Sequence, residues 1–131
     1  MIETYTYDPE KVVVALGNVY LTGFGDDGKI DVEKNEDDIT TKVGIDGHVS
    51  YTKNHDRTAK AKITLMSTSP CIPYIRSLAA NQVEFDFSLI DMNENGENIA
   101  SSNCRILKKP NITHKKEVEG LEFEIFIPEW K

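Results

Sequence analysis

Asp91-Met92-Asn93-Glu94-Asn95-Gly96 spells D-x-N-x-N-G, the spacing with which oxygen ligands and a turn glycine open a calcium-binding loop. Such a loop closes with a bidentate Glu at its twelfth position, which here is Ser102. Its flanks also read as strands and not helices, so the stretch is expected to be a polar hairpin turn. His48, His55 and His114 fall at no ligand spacing with one another or with Cys71 and Cys104, and a zinc site needs four convergent ligands. No G-x-S-x-G, H-E-x-x-H or Gly-rich phosphate loop frames a nucleophile. Glu84/Asp86 and Glu122/Glu124 are paired carboxylates, but at i, i+2 they share the outer face of a strand, where solvation is the ordinary reading. The other reading is that these faces line a channel. No catalytic residue, cofactor-binding residue or metal ligand is assigned.

The elements that must carry these residues follow from composition and period. With 131 residues the chain fits one domain with one core, and 39 % apolar against 28 % charged residues is a globular balance. The net charge of -7 repels a phosphate backbone, which disfavours open-faced nucleic-acid binding. No apolar run approaches the roughly 18–20 residues of a membrane span. The opening residues, Met1 to Tyr7, show neither the basic start nor the apolar core of a signal peptide. Two isolated cysteines make no disulfide framework and are expected to be reduced.

Along the chain, residues 1–10 read as an N-terminal arm. Val12 to Leu16 and Val19 to Leu21 predict a tight hairpin at Gly17-Asn18. Residues 23–28 are turn chemistry, and Ile30 and Val32 alternate with polar neighbours as in a half-buried strand. Residues 35–44 show neither period and begin with polar and acidic side chains, which predicts a long surface loop. Val49 and Tyr51 alternate after the Asp46-Gly47 turn, and Asn54-His55-Asp56 turns the chain again. Residues 59–66 place Lys60, Lys62 and Thr64 opposite Ala61, Ile63 and Leu65. One helix is predicted over 69–80, with Ser69 as cap, Pro70 in the first position and Asn81 as stop. Val83 to Ile90 and Leu121 to Ile127 are the cleanest alternating strands, with a weaker one from Ile99 to Leu107 and a basic connector between Lys108 and Lys116. The pattern is mainly β: two packed antiparallel sheets, a sandwich or partial barrel, with one short flanking helix.

Five stretches in order resemble a family of phage structural proteins, the tail tube proteins of contractile-tailed phages. They are Tyr7-Asp8-Pro9 with Lys11-Val12-Val13-Val14, Gly23-Phe24-Gly25-Asp26, Ile30 to Asp37 (with V-E-K-N-E-D), Lys42 to Gly47 (K-V-G-I-D-G) and Ile63 to Pro70 (I-T-L-M-S-T-S-P). The similarity runs from about residue 7 to about residue 90 and is weak beyond Asp91. It implies a tail-tube-like fold, related in plan to the tube protein of type VI secretion. Six copies would form a ring, and rings would stack into a hollow tube. It further implies sheath, baseplate and tail-terminator proteins as partners, no membrane, and a place in the virion after assembly in the bacterial cytoplasm. DNA or an effector would pass through the lumen without specific binding. A lumen of the same charge sign as DNA suits that passage. The 35–44 loop would reach the adjacent ring, which makes Asn35, Glu36, Asp37, Asp38, Ile39, Thr40, Thr41 and Lys42 the candidate inter-ring contacts. The rival expectation is a monomeric β-sandwich binding module for a carbohydrate or a partner protein, with exposed aromatics at a groove. Most aromatics here are expected on core faces, with Tyr5, Tyr7 and Trp130 near the termini.

Overall fold

The computed structural model describes residues 4, 6, 7, 9–24, 29–110 and 120–130. Among these residues, nine strands and one helix follow in the order β1 (Val12–Leu16), β2 (Val19–Tyr20), β3 (Ile30–Lys34), β4 (Ile39–Val43), β5 (Val49–Lys53), β6 (Ala59–Met66), α1 (Ile72–Asn81), β7 (Phe85–Asp91), β8 (Ile99–Cys104) and β9 (Gly120–Ile127). Pro9–Lys11 form a single 3-10 turn before β1. The predicted N-terminal arm lies largely outside the described residues, as do the second half of the 23–28 turn and most of the basic connector.

Two antiparallel sheets enclose the core. One has the order β2-β1-β7-β8 and the other β3-β6-β9. Strand β6 alternates buried and half-buried residues along its whole length, with Ala59, Ala61, Ile63 and Leu65 inside. Opposite it in register, Leu121, Phe123, Ile125 and Ile127 of β9 point the same way. Val14, Leu16, Phe85 and Phe87 close the core from the other sheet. Each buried side chain of this size contributes about 1.5–3 kcal/mol by leaving water.

The sheets touch where β8 bends. Phe85 pairs with Cys104 and Phe87 with Ser101, so β8 holds one extra residue, and Asn103 there has φ 60°. This bulge re-aims the strand. Arg105 leaves β7 and exchanges both backbone hydrogen bonds with Phe126 of β9, at 3.2 and 2.8 Å. At the other end, Leu21 N–H reaches Val14 and Gly23 accepts from Met66 N–H, so the segment after β2 crosses from one sheet to the other. Gly23 is required at that crossing: its φ is +82°, and a Cβ would come within 2.7 Å of Ser69.

The helix corrects one expectation. It begins at Ile72, with Cys71 in the cap position making no side-chain cap bond and Pro73 in the first turn. Ser69 does not cap it. Its buried hydroxyl donates to the Thr22 carbonyl at 2.6 Å and accepts from Cys71 N–H at 3.3 Å. The hydroxyl oxygen is taken up by the Cys71 amide, ahead of the first helical residue, and its hydrogen by a carbonyl 47 residues away. Gln82, with φ 52°, ends the helix directly after Asn81. Ile72, Ile75, Leu78 and Ala79 form its buried stripe, and Tyr74 Oη donates to the Leu16 carbonyl at 3.0 Å.

Candidate functional site

Residues 35–44 are not a long loop. Ile39–Val43 form strand β4, paired with β5 from Ile39↔Lys53 to Val43↔Val49. The acidic run before Ile39 hides a stretch in which Ile39, Thr40, Thr41 and Val43 are all β-branched. The turn between the strands is tight, with Gly44 N–H bonded to the His48 carbonyl at 2.8 Å and Gly47 N–H to the Gly44 carbonyl at 3.0 Å.

This hairpin stands clear of the body: all ten strand residues are exposed. Residues directly opposite in an antiparallel pair share a face. One face therefore carries Ile39, Thr41, Val43, Val49, Tyr51 and Lys53, and the other Thr40, Lys42, Ser50 and Thr52. Val43 is 65 % and Tyr51 73 % exposed, and Ile45 at the tip is fully open to solvent. A lone two-stranded hairpin is marginal in water, and an apolar face of this kind marks an interaction surface. Tyr51 and Tyr20, expected on core faces, both point outward.

The candidate inter-ring residues divide at Ile39. Asn35 belongs to the hairpin's neck: its N–H bonds the Thr58 carbonyl at 3.1 Å and its side-chain amide bonds Thr58 Oγ1 at 2.9 Å. Asp38 pairs with Lys34 at 3.1 Å and accepts from Asn54 N–H through its carbonyl at 2.8 Å. In the segment between β5 and β6, Asp56 accepts from both the hydroxyl and the N–H of Thr58, which holds its carboxyl below the usual Asp range. Ile39 to Lys42 make up most of β4. The apolar residues of β5, Val49 and Tyr51, were not among the candidates, although their period-2 spacing was the signal that pointed to them.

A groove of about 610 Å³ lies on the body between the edge of β8 (residues 98–103) and the chain after β9, Pro128 to Trp130. Among the described residues, β8 is laddered to β7 alone, and the chain bridges to β9 just beyond it, at Arg105. Trp130 is half-buried against the core, with Lys34 Nζ 5.9 Å from its ring centroid.

The other candidates resolve into structure. Asp91 Oδ1 accepts from the N–H and side-chain amide of Asn93, at 3.0 and 2.8 Å, which makes the D-x-N-x-N-G stretch the turn between β7 and β8. Glu84 pairs with Arg105 at 2.7 Å, and Glu124 faces Lys62 at 3.6 Å on the outer sheet surface. Among the described residues, no three His, Cys, Asp or Glu side chains converge as a metal site, and no helix is long and apolar enough to cross a membrane. Cys71 and Cys104 are free and buried, and burial pushes the Cys104 thiol up.

Comparison by sequence finds no matching family and no matching curated protein. Comparison by structure does find likeness. A sheath/tube terminator of an extracellular contractile injection system (PVC) superposes with a TM-score of 0.58 at 13 % identity, over 95 % of this chain and 94 % of that one. The tube-terminating cap of the anti-feeding prophage gives 0.55 at 13 %, over 98 % and 91 %. A chain of the PVC sheath-tube complex gives 0.52 at 14 %, over 94 % and 88 %. The shared property is the fold: a β-rich, tail-tube-like architecture with one flanking helix.

Proposed function

We propose that this protein is a structural subunit of a phage or phage-like contractile tail tube, acting by self-assembly and without catalysis. Six copies form a ring, rings stack around a lumen that passes DNA or an effector, and sheath, baseplate and terminator proteins are its neighbours in the particle. The observation that carries the reading is a fold shared over nearly the whole chain with components of contractile injection systems. The uncovered hairpin supports it, since an exposed apolar face on a marginal element needs a neighbour. A second reading within the same class is a terminating ring, favoured by the two likenesses to terminators. The carbohydrate-binding alternative has less behind it: Tyr7, Tyr20 and Tyr51 are exposed on separate elements away from the groove beside β8, and the aromatic that does line that groove, Trp130, is half-buried against the core.

Light scattering on a sizing column, with negative-stain microscopy of the same peak, tests this. Hollow tubes are the expected result, and discrete rings that do not stack would select the terminator. A monomer at every concentration overturns both.

A further inference from the structure

The hairpin and the groove are complementary to each other. We propose that the β4–β5 hairpin of one copy adds as an extra strand to the free edge of β8 in a second copy, seating its apolar face against the wall that Trp130 closes. This rests on the assembly reading and names the two surfaces that meet.

Three observations carry it. The first is backbone supply. Before Arg105, β8 presents over Ile99 to Asn103 an edge that no described residue pairs with, and such an edge is a template for strand addition. A hairpin strand is also five residues long and has its own free edge. The second is charge. The hairpin's apolar face carries Lys53 and no carboxylate, and the groove is lined by Asp86 and by Glu129, which Arg57 of its own chain already faces at 3.5 Å. The third is chemistry. Ile39, Val43, Val49 and Tyr51 share one open face, and the groove offers Ile99, Pro128 and the Trp130 ring beside its polar rim.

The hairpin and the groove lie side by side on one chain. The neck of each chain's own hairpin sits at the rim of its own groove: Trp130 N–H bonds the Arg57 carbonyl at 2.8 Å, and Arg57 pairs with Glu129 at 3.5 Å. Donor and acceptor are different surfaces of one chain. Repeated head to tail, as the assembly reading requires, such a contact closes into rings or runs on as filaments.

The test mixes two full-length chains of different mass, Thr41→Cys on the hairpin's apolar face and Ser101→Cys on the face of β8 that Ile99 shares, under mild oxidation. The expected product is a mixed disulfide dimer, several-fold more abundant than with Thr40→Cys on the opposite face. The wild-type chain, with Cys71 and Cys104 buried, serves as the blank. Assembled particles with no mixed dimer overturn the docking while leaving the assembly reading intact. A predominant Ser101→Cys homodimer also overturns it, by showing β8 paired with its own copy. Monomers throughout remove both readings. Trp130, the single tryptophan, reports the same event in the unmodified chain. Its emission should shift to the blue on assembly, and unchanged emission from assembled particles counts against the groove.

Discussion

Strands β9 and β5 carry the same kind of pattern and meet opposite fates. In β9, Leu121, Phe123, Ile125 and Ile127 alternate with outward residues and are buried. In β5, Val49 and Tyr51 alternate in the same way and stay in water. The difference lies in what lies opposite. Strand β9 lies in the core cluster with the second sheet and the helix, whereas β5 is not covered by any of the described residues. Alternation tells which residues share a face; the cover over that face comes from elsewhere, and here that is a neighbouring molecule under the proposed assembly.

The comparison breaks most easily at its heaviest point. Ile125→Ala should destabilise the isolated subunit by about 2–5 kcal/mol, through lost burial and a residual cavity. The parallel change Val49→Ala should stay within about 0.5 kcal/mol. Urea denaturation of both under non-assembling conditions decides it, and equal losses would mean that the hairpin is packed on the body. A smaller effect is expected from Ser69→Ala, which deprives the Thr22 carbonyl of its buried donor. We expect a loss of about 1–3 kcal/mol in the same assay. An unchanged midpoint would show that the crossover between the sheets is held without it.

The smallest effect sharpens the contrast from the hairpin's side. The Asp56 carboxyl is held low by Thr58, so its contribution is present above the unfolded Asp value and fades as pH falls through the lower folded value. Acidification below about 4 should therefore loosen the neck while β6 and β9 keep their protection, and Asp56→Asn should loosen it already at neutral pH. Amide exchange at Thr58 compared with Ile125 measures this. Simultaneous loss of protection at both sites would contradict it.

How much was legible in the sequence follows from these same places. Strands β6, β7 and β9 were readable because one of their faces is buried within the chain, so period and burial agree. The hairpin at Gly17-Asn18 was readable because its turn chemistry is local; Gly17 takes φ 61°. Strand β4 was missed because its acidic approach resembles a loop and its β-branched residues show no alternation of their own. Ser69 misled because its real partner, the Thr22 carbonyl, is distant in sequence. The groove had no signal at all: it is a gap left where a bulge turns β8 toward β9, and only the paired strands reveal it.

The neck described above has a consequence for how such a chain can change. Strand β3 is paired with β6 up to Lys34↔Ala59, and Asn35 and Thr58 clamp the two ends of everything between them. The 36–57 excursion is in effect an interchangeable part inserted at a closed seam. Because the entropy of closing a loop grows only with the logarithm of its length, adding or removing residues there costs the body little. Variation at this seam can retune the reach and the preferred neighbour of the subunit, while the enclosed core that keeps it folded stays untouched.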